Sequence, residues 1–382
     1  MGSYRQSYRS TPGIHGARRA GGFSLVELLL ALSLGLVVVT GIVQLFVGNS
    51  QTYTVLNGQA RLQENGRFAL EFISRAARSS GFLGCAPERD NIVKGLRAPW
   101  GNMPEFNILN LVQGFEGSGG ALVGGGGLPD TSNGNLYPVA LAPNNGGIDD
   151  ANVEPGTDVV AFRTLEQPGT RLAQVLQPSG NPVVAAPGGV SPFAANDVVM
   201  VADCEQGALF RINSVNVAAN QATLNIVTAS TGNAWENADQ VPGQTTPTVP
   251  FTLSYLGRSY GDDAIVSRVQ TTYFFIADST GDDNDGDGQP PLALWQKVGT
   301  SAPQEVVQGV EDLEVMYGID TQNDNQTRIN EFVNFDAVAD PTDVVAVRVS
   351  VTVNSVDVVD NGQRLRRTFS KTIQLRNANP EV

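Results

Sequence analysis

The sequence predicts an α+β fold in which one long N-terminal helix packs on an antiparallel β-sheet head, loop-rich and with an additional β subdomain. Three observations predict it. Residues 28–47 are apolar apart from Ser33, Thr40 and Gln44, and about 20 such residues span a bilayer. Beyond them, apolar residues recur at helical spacing. The remainder is a series of stretches rich in β-branched and aromatic residues, and 42 Gly with 21 Pro indicate loops between strands more than further helices.

The chain has 382 residues, enough for one large or two modest domains. Residues 1–22 are polar, rich in Arg, Ser and Gly and without apolar periodicity, and are expected to be a processed leader outside the fold. They hold Arg5, Arg9, Arg18 and Arg19 and no acid, so removing these four charges takes the formal charge from −14 to −18. So acidic a chain argues against nucleic acid as a partner, because that binding rests on neutralising phosphates with Lys and Arg. The leader arginines favour a cytoplasmic N-terminus by the positive-inside rule. The bulk of the chain is then expected in the periplasm.

The junction with the apolar run reads Gly21-Gly22-Phe23-Ser24-Leu25-Val26-Glu27. A secretory signal peptide is cleaved after an apolar core of about 7–15 residues, whereas here the basic stretch ends in glycine before the run begins. A plain membrane anchor accounts for residues 23–47 but not for Glu27. A carboxylate inside an apolar span costs about 2.5 kcal/mol or more near the bilayer centre, and so calls for a partner. This order of features resembles the class III signal of type IV prepilins. The resemblance implies cleavage between Gly22 and Phe23 by a prepilin peptidase and N-methylation of Phe23. It also implies that Glu27 of one subunit neutralises the freed α-amine of its neighbour.

The helix is expected to continue to residue 81, with 23–47 transmembrane and 48–81 amphipathic. In its second half Val55, Leu62, Phe68, Phe72, Ile73 and Ala76 recur at helical spacing, with Arg61, Glu64, Arg67, Glu71, Arg75 and Arg78 on other faces. Gly35, Gly41, Gly48, Gly58 and Gly66 each cost about 1 kcal/mol against alanine inside a helix. Two readings of these glycines stand: points of bending, or small residues that allow close packing. Gly81, Gly84 and Pro87 mark the helix end.

Residues 82–157 are expected to be a variable, loop-rich connector with at most one short helix, because residues 117–127 are almost all small and 144–150 are turn-forming. Residues 158–382 are expected to form the β-rich head. Strand signals cover 158–164, 198–202, 209–217, 222–227, 252–256, 269–276, 292–296, 310–317, 344–353 and 368–375. Ser350, Thr352 and Asn354 alternate with Val349, Val351 and Val353, giving one polar face and one apolar face for the amphipathic half of the helix.

Catalysis finds no support. The only histidine, His15, lies in the leader, and the chain has no nucleophile elbow, phosphate loop or dinucleotide fingerprint. Cys85 and Cys204 sit in no CxxC motif, so in an oxidising compartment they are expected to form a disulfide rather than a metal or redox site. Two buried thiols are the alternative.

No cofactor is required, but two acidic loops have partial calcium-ligand spacing. Asp283, Asp285, Asp287 and Gly288 form the first half of a D-x-D-x-D-G loop whose twelfth position is Leu294. Asp320, Gln322 and Asp324 hold the first, third and fifth positions of the other, with Asn325 in place of glycine and Glu331 at the twelfth. A solvated acidic turn is the alternative for both. Arg364, Arg366, Arg367 and Lys371 form a basic cluster, read either as a contact for an acidic neighbour or as a charged strand edge that discourages aggregation.

Several further blocks narrow the resemblance. Leu62 to Phe72 reads LQENGRFALEF and is followed by Gly81-Phe82-Leu83-Gly84-Cys85; Asp197 to Ile212 reads DVVMVADCEQGALFRI. With Val310 to Asp320 and Val344 to Ser350, they resemble the PilW family of minor pilins. The resemblance implies a pilin-like fold and a subunit that helps prime type IV pilus assembly, serving adhesion and twitching motility. Its implied partners are the other minor pilins, the major pilin and the inner-membrane assembly platform. The implied location is the inner membrane with a periplasmic head, then the pilus. The N-terminal signal alone would equally serve a pseudopilin of a type II secretion system, and an adhesive binding module is a third reading.

Overall fold

The computed structural model describes residues 24–85, 92–94, 106, 108, 110–118, 121–123, 153–178, 180–226, 256–282, 288–299, 301–322, 328–359 and 363–378. Contacts divide the chain into two compact units, Met1–Thr54 and Val55–Val382. Helix α1 (Leu25–Ser79) contributes to both.

At 1.5 Å per residue α1 is about 80 Å long. Residues 25–54 are exposed almost throughout, and this helix is apolar and long enough to cross a membrane. From residue 55 onward α1 is part of the head. Its buried side is Gly58, Leu62, Gly66, Ala69, Leu70, Ile73, Ser74 and Ala77, which recur every three or four positions as a helix facing a sheet requires. This stripe differs from the one the sequence predicts: Phe68 is 49% and Phe72 36% exposed. Two glycines, invisible to a hydrophobicity pattern, take the central places instead. The helix stops at Gly81, whose φ of 74° is the left-handed conformation that ends helices. Its N–H leaves the helical ladder to donate to the Arg163 carbonyl at 2.7 Å.

The first strands are β1 (Ile92–Lys94), β2 (Val112–Ser118), β3 (Ala121–Val123), β4 (Val159–Leu165) and β5 (Thr170–Arg171). They are followed by β6 (Val183–Ala185), β7 (Val198–Ala202), β8 (Gly207–Arg211), β9 (Ser214–Ala218) and β10 (Gln221–Asn225). The longest strand, β11 (Ile265–Asp278), precedes β12 (Leu292–Val298) and β13 (Gln304–Gln308). The last four are β14 (Val310–Ile319), β15 (Glu331–Val333), β16 (Val344–Asn354) and β17 (Arg366–Gln374).

They form three sheets. A ten-stranded sheet runs β1-β8-β7-β11-β4-β2-β3, with β12 and β5 also on β11 and β13 on β12. A three-stranded sheet runs β6-β10-β9 and a four-stranded one β15-β14-β16-β17. Among the described residues all strand pairings are antiparallel except β1 with β8. The architecture is α+β, one long helix with several mostly antiparallel sheets.

β11 joins the parts of the head. Its sequence, IVSRVQTTYFFIAD, is β-branched and aromatic, and its first half pairs β5 and β7 while its second pairs β4 and β12. The largest core cluster brings Ala69, Leu70, Ile73 and Ala77 of α1 together with Val347, Val349, Val351 and Val353 of β16 and with Phe162, Phe274 and Ile276 of the large sheet. Burying each Leu or Ile here stabilises the head by about 1.5–3 kcal/mol. A second cluster brings Val184 and Leu224 of the three-stranded sheet together with Phe210 of β8 and with Tyr260.

Three expectations are corrected. The connector is not merely irregular: β2 is buried and paired with β4 along four residues. Its sequence, VQGFEGS, reads as loop because Gly114 and Gly117 interrupt it. A Cβ at Gly114 would strike the Tyr317 hydroxyl, and one at Gly117 the Thr157 backbone. The stretch 209–217 is two strands, separated at Ile212 and Asn213. Asn354 does not share the solvated face of Ser350 and Thr352: it is fully buried, and its Nδ2 donates to Glu311 Oε1 at 2.7 Å. The strand signal at 252–255 lies outside the described residues, and Leu256 is in a turn.

Candidate functional site

The head grips α1 along one stripe, and close approach of backbones sets its geometry. A Cβ at Gly58 would lie 2.6 Å from Val359 Cγ1, and one at Gly66 would overlap the Phe369 ring. Both are therefore packing glycines. Gly35, Gly41 and Gly48 have nothing within 4 Å, so close packing within this chain does not account for them.

Polar contacts fix the register of the grip. Arg61 pairs with Asp357 at 2.9 Å, both half-exposed, and Asn65 Nδ2 donates to the Gln308 carbonyl at 2.9 Å. Lys371 stands 3.8 Å from Glu71. Exposed pairs like these contribute about 0–1 kcal/mol each, so the apolar stripe dominates. The loop that carries Asp357 and Val359 holds Val356 at φ 62°, a conformation rare for a β-branched residue. Asn354 Oδ1 accepts the Val356 N–H at 2.8 Å and keeps it there.

The far end of the helix is tied to segments flanking the ten-stranded and the four-stranded sheets. Ser80, fully buried, donates its hydroxyl to the Leu111 carbonyl, and Asn377 Nδ2 donates to the Ser80 carbonyl at 2.8 Å. Cys85 and Cys204 form a disulfide that ties the segment after α1 to the β7–β8 turn. Beside it Arg258 bridges Asp203 and Glu205. Burial pushes the Asp203 carboxyl up, but the N–H groups of Gln206 and Glu205 and the Arg258 guanidinium outweigh it and hold it below its usual range.

At the other end Glu27 stands in the first turn of α1 and is exposed. Gly22 and Phe23 lie outside the described residues, as do Asp283, Asp285 and Asp287 of the first acidic loop and Asp324 of the second. Asp320 Oδ1 accepts the Gln322 N–H at 3.2 Å and its Oδ2 the Arg328 N–H at 2.8 Å, so backbone amides occupy both carboxylate oxygens. Glu331 is exposed on β15, opposite Ile319. Among the described residues no group of three His, Cys, Asp or Glu is arranged to hold a metal. Three residues of the basic cluster make contacts within the chain: Arg366 pairs with Glu311, Arg367 stacks over the Phe369 ring at 5.2 Å, and Lys371 faces Glu71.

The part of the head that carries this grip matches a known family. Residues 272–377 match the family model of the type IV pilus-assembly protein W. Over these residues the chain is similar to the PilW family. The matched residues run from within β11 through β17 and so include the whole four-stranded sheet on which α1 lies. The Val310 and Val344 blocks fall inside the PilW match; the Leu62 and Asp197 blocks fall outside it. No curated protein and no solved structure matched the chain. The PilW match points to type IV pilus assembly, and the apolar N-terminal helix is compatible with a membrane anchor.

Sequence reasoning left Gly58 and Gly66 open between bending and close packing, and it missed Asn65, Asp357, Val359, Ser80 and Asn377. A four-residue spacing from Gly58 through Leu62 to Gly66 was the available signal. It becomes readable once small residues are counted on the buried face.

Proposed function

We propose that the chain is a minor pilin, a structural subunit that helps prime type IV pilus assembly. A prepilin peptidase cleaves between Gly22 and Phe23, and the new N-terminus at Phe23 is N-methylated. The helix then moves from the inner membrane into the filament, where Glu27 neutralises a neighbour's α-amine. The head faces the periplasm until then and selects its neighbours among the other minor pilins and the major pilin at the assembly platform.

One observation carries this reading. The apolar half of α1 exposes every large side chain from Leu25 to Val47 and holds a single carboxylate, while the other half is fastened to the sheet of the PilW-matching segment. An exposed apolar helix with one carboxylate near its start needs both an apolar surrounding and a positive partner.

Mass measurement of the protein from membranes tests the processing step. Replacing Gly22 by a bulky residue is expected to leave the full-length mass, whereas Glu27→Ala is expected to give the mature, methylated mass. A mature mass with Gly22 replaced would refute the cleavage assignment.

A further inference from the structure

Two buried carboxylates fasten the ten-stranded sheet to the four-stranded one. Glu116, on β2 and 8% exposed, accepts the Phe335 N–H through Oε1 at 2.6 Å. Asp158, just before β4 and 4% exposed, lies along β14. Its N–H donates to the Leu313 carbonyl at 2.8 Å, its Oδ2 accepts the Val315 N–H at 2.8 Å, and its Oδ1 accepts the Gly117 N–H at 3.1 Å. These bonds cover an edge of β14 that β15 does not reach, since β15 pairs only with Tyr317, Gly318 and Ile319.

The surroundings are closed and negative. Gly114 and Gly117 let β2 approach so closely that a Cβ on either would collide with Tyr317 or Thr157. The Tyr317 hydroxyl is buried without a hydrogen-bond partner and lies within the field of both carboxylates. The charges acting on Glu116 are Asp158, Asp336 of the turn after β15, and Glu314 of β14, all acidic. Asp312, also on β14, acts on Asp158; Arg366 on β17 acts on Asp312.

We propose that Glu116 and Asp158 form a proton-dependent clasp between the two sheets, closed while the pair holds a proton and loosened when both are ionised. A like charge near a desolvated carboxyl disfavours its ionisation, and Asp158 acts so on Glu116. Burial above all, then the neighbouring acids, push Glu116 up to about 7 against the pull of the Phe335 N–H. Burial likewise pushes Asp158 upward. A carboxyl whose folded value is raised binds its proton more tightly folded than unfolded. The stability it contributes is complete below the unfolded value and is lost as pH rises through about 7.

Melting of the full-length protein in detergent micelles across about pH 5 to 8 tests the clasp, alongside hydrogen exchange at the Phe335 and Val315 amides. Wild type is expected to melt lower at the alkaline end. Glu116→Gln keeps an oxygen for the Phe335 N–H without a charge, and is expected to flatten that slope and melt about 2 °C or more above wild type at alkaline pH. The two amides are expected to exchange faster in wild type than in Glu116→Gln at alkaline pH and equally at acid pH. An unchanged slope in Glu116→Gln, or a Tm below wild type at alkaline pH, would overturn the proposal. Should that variant not fold, Glu314→Gln decides by exchange rather than by Tm, because burial pushes the Glu314 carboxyl itself up to about 7: slower exchange at the Phe335 amide at alkaline pH supports the clasp, and unchanged exchange there overturns it.

Discussion

Gly66 has no room for a methyl group, because the Phe369 ring occupies the place where its Cβ would lie. Overpacking costs about 1–3 kcal/mol, while alanine gains about 1 kcal/mol of helix propensity over glycine, so Gly66→Ala is expected to lower the Tm of the monomer. Gly48, with nothing within 4 Å, has no such opposing cost. Gly48→Ala is expected to raise the helicity of α1 in micelles, read by circular dichroism. The sequence left bending and packing open for all five helix glycines because a glycine's role depends on what faces it. The same blindness hid β2, whose Gly114 and Gly117 look like loop residues until Tyr317 and Thr157 are seen pressing on them. Glu27 draws attention from the sequence alone, since a carboxylate in an apolar run stands out without any neighbour being known.

Among the elements, α1 belongs to two environments, and its second half is as much a core element of the head as any strand. Ala69, Leu70, Ile73 and Ala77 lie in the main core cluster. A chain beginning at residue 55 is therefore expected to fold, whereas one beginning at residue 82 is expected to lose cooperative melting and bind a hydrophobic dye. The disulfide joins residues 119 apart in sequence, and closing so long a loop stabilises by about 4–5 kcal/mol in the chain-entropy view. Cys204→Ser is expected to lower the Tm by several degrees and to speed proteolysis of the segment after α1. Strands with β-branched, alternating sequences, such as β14, β16 and β17, were legible within two residues. β5, β6 and β15 were not, because two or three residues carry no periodicity and exist through their partners.

For the whole molecule, the α+β class and the single apolar helix were legible from composition and periodicity, and the division into three sheets was not. That division depends on long-range pairing by β11, which a local pattern does not encode. The grip on α1 was half legible: the valines of β16 announced an apolar face, but the glycine stripe that meets it did not. The PilW-matching residues build the sheet that holds the helix, so the match and the exposed apolar half of α1 both bear on the proposed function, delivery of a helix to a filament. The most direct measurement is the number of surface pili in cells lacking this chain and in cells supplied with wild type or Glu27→Ala. The account expects few or no pili without the chain, restoration by wild type, and failure of Glu27→Ala despite normal processing. Normal pilus numbers in the absence of the chain would contradict it.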